Sequence, residues 1–124
     1  LIEISYDALI LCSGVPYSFP IKSNITNIEK RQENLFRLTK NLANKKTITI
    51  LGGGLIGVEL AAELCHNNNN NSNNNNKTKI TIITSDESLL PTLPKSAGLK
   101  AYSWFLKKDV NIIFKHKVKQ IVSK

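Results

Sequence analysis

With 124 residues, a hydrophobic fraction of 41% and a formal net charge of +8, the chain holds one domain of ordinary size with a modest core. No stretch approaches the roughly 20 apolar residues that span a bilayer, and the opening carries Glu3 and Asp7 where a secretory leader would be basic and then apolar. Cys12 and Cys65 are too far apart for a CxxC or metal-ligand spacing, so the composition argues against a membrane span, a secreted disulfide scaffold and a metal centre.

The chain opens with Leu1 inside an apolar run, "LIEISYDALILCSG", and we expect a fragment of a longer protein. Residues 1–12 read as one or two strands closing on the turn at "CSG". "VPYSFP" is an irregular linker marked by Pro16 and Pro20. Residues 28–42 place Ile28, Arg31, Leu35, Leu38 and Leu42 on one stripe of an amphipathic surface helix. A strand is expected over Thr47–Leu51, then a helix over residues 55–66 that is apolar nearly all round. Glu59 and Glu63, four apart, share its one polar face.

Asn67 to Asn76 is all asparagine except Ser72. Such a tract buries too little surface to offset its chain entropy, so disorder is expected. It follows a helix that returns to the amino ends of the strands, opposite any ligand crevice, and reads as a tolerated insertion. A second strand is expected over Lys79–Thr84, a helix over about Lys95–Lys108 with Trp104 and its neighbours in the core, and a third strand over Val110–Phe114. Asp109 sits at the turn between them. "KVKQIV" reads as the start of a fourth, antiparallel strand, with Lys115, Lys117 and Lys119 on its solvated face. Both cysteines read as buried free thiols in a reducing compartment. The fold class is therefore α/β, a Rossmann-like βαβαβ parallel sheet.

Gly52, Gly54 and Gly57 fit G-x-G-x-x-G between a strand and a helix, the context in which that pattern is informative. Gly52 lets the chain leave the strand sharply, Gly54 lets the main chain approach a pyrophosphate, and Gly57 lets helix and strand pack closely. The helix then offers unpaired N–H groups and a positive dipole end to phosphate. Gly52, Gly53, Gly54, Leu55, Ile56 and Gly57 are thus candidate nucleotide contacts. Thr84, Ser85 and Asp86 stand where an acidic residue would receive the ribose hydroxyls. With no arginine there for a 2′-phosphate, NADH is mildly favoured over NADPH, though Asp86 serves equally as an ordinary turn residue.

"YDALILCSG" (6–14), a proline linker, a helix, "ITILGGGLIGVELAAEL" (48–64) and "KITIITSDESLLP" (79–91) come in an order that resembles the pyridine nucleotide–disulfide oxidoreductase superfamily. The G-V-E-x-A-A-E run is most similar to its apoptosis-inducing-factor-like branch, which includes ferroptosis-suppressor quinone reductases. The resemblance implies FAD and NAD(P)H as cofactors, with an NAD(P)H-binding domain inserted into an FAD-binding one. Residues 1–20 would be the carboxyl-terminal edge of the first FAD-binding segment, 21–46 a linker and helix, and 47–124 an incomplete NAD(P)H-binding domain with the asparagine insertion at 67–76. "CSG" resembles the family's Ala-Thr-Gly turn, which puts Ser13 and Gly14 on the FAD side. Glu59 matches a glutamate near nicotinamide and flavin, a candidate for orienting the nicotinamide. The family's amino-terminal FAD fingerprint and carboxyl-terminal Gly-Asp segment do not occur here, so enclosing FAD requires residues beyond these 124.

The implied activity is hydride transfer from NAD(P)H to flavin, then electron transfer to a quinone-like small molecule. The expected location is cytoplasmic; peripheral membrane association and oligomeric state are left open. Nucleic acid is not expected as a partner, because no aromatic or arginine platform accompanies the lysines. Two rival readings stay open: a truncated nucleotide-binding remnant without turnover, and a basic nucleic-acid-binding module.

Overall fold

A computed structural model describes residues 3–10, 12, 14, 24–70 and 77–122. Contacts divide the chain into two compact units, Leu1–Asn41 and Leu42–Lys124.

In the first unit, residues 3–10 form no strand and are exposed throughout, against the expectation for residues 1–12. A strand exists by pairing, and this run has no paired neighbour among the described residues. Helix α1, Ile28–Ala43, begins where the Asn27 carboxamide oxygen accepts the Lys30 amide at 2.9 Å, a side-chain cap that satisfies one of the helix's orphan donors. None of its residues is buried; of the expected stripe, Leu38 and Leu42 are half-buried and Ile28 and Leu35 exposed.

The second unit runs β1 (Thr47–Leu51), α2 (Leu55–Asn70), β2 (Lys79–Ile83), α3 (Lys95–Leu106) and β3 (Asn111–Ile113). The strands form a parallel sheet in the order β1-β2-β3. Helical crossovers are what parallel pairing requires, and this order is half of the doubly wound 3-2-1-4-5-6 arrangement. The register aligns Ile50, Ile82 and Ile112 in one row across the strands, and Leu51, Ile83 and Ile113 in the next. Because side chains alternate along a strand, the two rows lie on opposite faces.

Ile50 and Ile82 are buried with Ile80, Ala61, Cys65, Leu89, Phe105 and Val110 in the core. Burying a large aliphatic or aromatic side chain contributes about 1.5–3 kcal/mol, so this cluster carries the unit. Helix α2 packs on β1 and β2 through Ala61 and Cys65, one turn apart, while Glu59 and Glu63 stay exposed as their spacing implies. Burial pushes the Cys65 thiol pKa up, and the charges of Lys108 and Lys77 partly oppose that. On the other face Leu51 is exposed.

Several expectations are corrected. Helix α2 continues through residues 67–70, so the asparagine tract is not disordered from its start. Asparagine is a weak helix former, but Asn68 is held by two bonds to Thr78: its amide donates to the carbonyl at 2.8 Å and its oxygen accepts the N–H at 3.2 Å. Thr78 immediately precedes β2, whose first residue pairs with the first of β1, so this clamp lies at the amino ends of the strands. Residues 71–76 lie outside the described residues. Helix α3 ends at Leu106, and β3 is shorter than its expected span. Only Phe105 of the α3 aromatics is buried; Trp104 stands exposed, edge-on to Phe105 at 5.2 Å, with Lys108 Nζ 5.7 Å from its ring centre. Cys12 is exposed and only Cys65 is buried. No fourth strand forms over residues 117–122. Lys115 instead takes φ 59°, breaking the extended run and with it the expected lysine face.

Candidate functional site

The chain leaves β1 at Gly52, whose φ of +116° is a conformation that side-chain-bearing residues rarely adopt. Its N–H donates to the Ile83 carbonyl at 2.8 Å, extending the β1–β2 ladder into the turn. A Cβ at Gly57 would collide with the Gly52 carbonyl oxygen, so α2 sits against the end of β1 only because residue 57 has none. Packing does not account for Gly54: nothing lies within 4 Å of where its Cβ would be. That open space beside the first turn of α2 fits a ligand that comes up to the main chain, and the unpaired N–H groups of a helix start suit an anion. Gly53 differs from its neighbours. It is buried, and a Cβ there would press on Thr84 and Leu89, at 3.0 Å and 3.1 Å. Its carbonyl accepts the Leu90 amide at 2.8 Å, so it ties the turn to the following loop.

Thr84 directly follows β2, and its side chain is consumed internally. It is 2% exposed; its hydroxyl donates to Asp86 Oδ2 at 3.2 Å and accepts the Asp86 N–H at 3.3 Å. Its own N–H reaches the Ile113 carbonyl at 2.9 Å, and its carbonyl accepts the His116 N–H at 3.0 Å. The Lys115 N–H bonds to the Asp86 carbonyl at 3.1 Å, and Lys115 Nζ is 2.7 Å from Glu87 Oε1. That contact holds the Glu87 carboxyl below its ordinary pKa. The loop after β2 and the segment after β3 are thereby stitched together. His116 Nδ1 lies 2.6 Å from the Phe114 carbonyl oxygen, which can only accept, so Nδ1 carries the proton.

A cavity of about 420 Å³ opens at the carboxyl ends of β1 and β2. Its apolar walls are Leu51, Ile83, Val118 and Ile121; its polar ones include Ser85, His116, Lys117 and Lys119. Gly52 and Thr84 border it as well. This is where open parallel sheets take ligands, and the size suits a flat heteroaromatic group with polar substituents.

The structure therefore brings Gly52, Thr84 and Ser85 to one cavity, with Gly53 packed beneath Thr84. Gly54, Leu55, Ile56 and Gly57 stand at the start of α2 and do not line the cavity. Asp86 turns its carboxylate to Thr84 and is not among the lining residues, and Glu59 is exposed on α2 away from that lining. Gly14, at φ 77° and exposed, belongs to the first unit. Ser13 lies outside the described residues. The wall at residues 116–121 is not legible in the sequence. Its alternation signals a strand, and only the bonds to Thr84 and Asp86 show that it folds over the strand ends. Among the described residues no group of three or more His, Cys, Asp or Glu is placed to hold a metal.

A parallel α/β sheet with a glycine turn leading from β1 into α2 defines a dinucleotide-binding domain of the Rossmann type. The sequence matches the family described as pyridine nucleotide-disulphide oxidoreductase over residues 2–124, and the chain belongs to that family. It is 32% identical over 107 residues to apoptosis-inducing factor 1 of Saccharomyces cerevisiae, covering 86% of this chain and 26% of that protein. It is 28% identical over 120 residues to ferroptosis suppressor protein 1 of Taeniopygia guttata, covering 96% of this chain and 31% of that protein. Its similarities thus fall in the apoptosis-inducing-factor and ferroptosis-suppressor branch, and the cofactors of the class are FAD and NAD(P)H. The structure of NDH2 from Plasmodium falciparum in complex with NADH superposes with a TM-score of 0.58 at 23% identity, over 77% of this chain and 22% of that one. At that identity the likeness bears on the fold alone. The chain spans between a quarter and a third of these curated relatives, 26% and 31% of their lengths.

Proposed function

We propose that the chain is the NAD(P)H-binding segment of an FAD-dependent oxidoreductase that delivers electrons to a quinone-like acceptor. The observation that carries this reading is the glycine turn: Gly57 is required by packing, Gly52 by its backbone angle, and Gly54 by neither. The space left at Gly54 is accounted for by a phosphate drawn to the main chain at the start of α2. When bound, NAD(P)H supplies the hydride and FAD receives it; the protein's share is to bind and orient. On this reading the amides of residues 54–57 hold the diphosphate. Gly52, Ser85 and the cavity above β1 and β2 hold the adenosine end. Glu59 orients the nicotinamide, and Ser13 and Gly14 face the flavin. Residues 1–20 then belong to the flavin-binding part of the protein and residues 47–124 to the nucleotide-binding part.

The quinone-like acceptor rests on the likeness of the G-V-E-x-A-A-E run to the ferroptosis-suppressor quinone reductases, and a cytoplasmic site of action is supported by the free thiols. No described helix is long and apolar enough to cross a membrane. The test is Gly54→Val, whose side chain would enter open space in the protein but the path of a diphosphate. Its thermal melting should match the parent while NADH affinity is lost. An unchanged NADH titration overturns the site.

A further inference from the structure

This inference rests on the nucleotide reading above and concerns the end of the nucleotide distant from the chemistry. We propose that the cavity above β1 and β2 selects a nucleotide phosphorylated on the ribose 2′ oxygen, NADPH over NADH, and that Lys117 and Lys119 receive that phosphate.

A site built for free ribose hydroxyls places a carboxylate at the end of β2 to accept them. Here the residue after β2 is Thr84, whose hydroxyl is already bonded, followed by Ser85, a neutral donor. Two carboxylates follow and neither lines the cavity. Asp86 accepts the Thr84 hydroxyl at 3.2 Å, and Glu87 is paired with Lys115 at 2.7 Å. Among the described residues no acidic side chain borders the cavity, so a phosphate entering it meets no like charge among them.

The segment after β3 supplies cations to this cavity. Lys117 and Lys119 line it, are exposed, and take part in no ion pair among the described residues. Their segment is anchored by the His116 N–H on the Thr84 carbonyl and the Lys115 N–H on the Asp86 carbonyl, and both lysines line the same cavity as Ser85. Val118 and Ile121, with Leu51 and Ile83, offer apolar surface for an adenine ring. His116 contributes a second nitrogen, since Nδ1 is committed to the Phe114 carbonyl. The absence of an arginine in the loop after β2 is thus met by lysines from a different part of the chain, after β3, which no spacing rule for that loop could find.

The test compares 2′,5′-ADP with 5′-AMP, which differ only in the 2′-phosphate, by calorimetry on the purified protein at low salt. The expected result is tighter binding of 2′,5′-ADP by roughly tenfold or more, since a charge-assisted hydrogen bond is worth at least that factor. The same order should hold for NADPH over NADH. In the Lys117→Gln/Lys119→Gln double variant, 2′,5′-ADP should fall to the level of 5′-AMP, and Lys117→Arg/Lys119→Arg should restore the preference. Equal binding of the two nucleotides by the parent overturns the inference and leaves the proposed function standing. A preference that survives in the glutamine variant overturns the lysine assignment. Loss of NADH affinity in Asp86→Asn would identify Asp86 as an acceptor for ribose hydroxyls and overturn the inference as well. Failure of the parent to bind any of the four nucleotides overturns it together with the proposed function.

Discussion

Ile4, Tyr6 and Ile10 in the first unit are 76%, 65% and 83% exposed, whereas Ile80 and Ile82 in the second are 4% and 0% exposed. Both stretches alternate apolar and polar residues in the manner of a strand. The difference lies in what stands beside them. Lys79–Ile83 is flanked by β1 on one side and β3 on the other and is roofed by α2. Residues 3–10 have none of these among the described residues. Alternation says that a segment is able to be a strand; pairing and a covered face make it one.

The strongest way to break the comparison is to cut into each stretch. Ile82→Ala should lower stability by about 2–5 kcal/mol, the cost of a fully buried aliphatic side chain and the cavity it leaves. Ile10→Ala in the same 124-residue chain should change it by less than about 0.5 kcal/mol, as for an exposed site. Urea unfolding followed by circular dichroism reads both, and similar costs would mean that residues 3–10 are packed after all. Next in size is Gly57→Ala. Its methyl group meets the Gly52 carbonyl, a backbone atom with little room to yield, and the loss should be about 1–3 kcal/mol. Melting unchanged by this substitution would show that the helix does not approach the strand end as described.

The two cysteines sharpen the comparison chemically. Cys12 is exposed in the first unit, while Cys65 is buried in the second with its thiol pKa pushed up by burial. A thiol reagent at neutral pH should therefore modify Cys12 quickly and Cys65 only on unfolding, since the thiolate is the reactive form. Equal rates in a mass-spectrometric time course would contradict the packing of α2. The smallest effect concerns Glu87, whose folded carboxyl is held below its ordinary pKa by Lys115. A depressed folded pKa stabilises the protein above the carboxylate's unfolded pKa, and that contribution disappears as pH falls through the folded value. The residue is fully exposed, so the readout is its NMR titration midpoint, which should move up in Lys115→Ala. A midpoint that stays put would mean the ion pair does not form in solution.

Much of the second unit was legible residue by residue. Thr47–Leu51 has the predicted bounds because β-branched alternation bracketed by Lys46 and Gly52 leaves little latitude. Gly52 and Gly57 have the backbone and packing duties their spacing implied, and Asp109 turns at φ 57°. Less was legible where one local pattern served two structures. Residues 115–119 alternate like a strand but are bent at Lys115, because their backbone bonds go to Thr84 and Asp86, distant in sequence. The size of Trp104 points to the core, yet Phe105 occupies that place and Trp104 lies outside. Which of two adjacent aromatics faces inward depends on the angle at which α3 meets the sheet.

Taken alone, then, the order of residues determined the element types from α1 to β3, the strand–glycine turn–helix unit and the family, since each depends on neighbours within a few positions. The tertiary structure decided which partners the pattern received. It buried Thr84 and turned Asp86 aside from the cavity, carried Asn68 to Thr78, left residues 3–10 without a paired neighbour among the described residues, and swung Lys117 and Lys119 over the strand ends. Those outcomes depend on hydrogen bonds and packing between segments far apart in the chain, and periodicity carries no information about them.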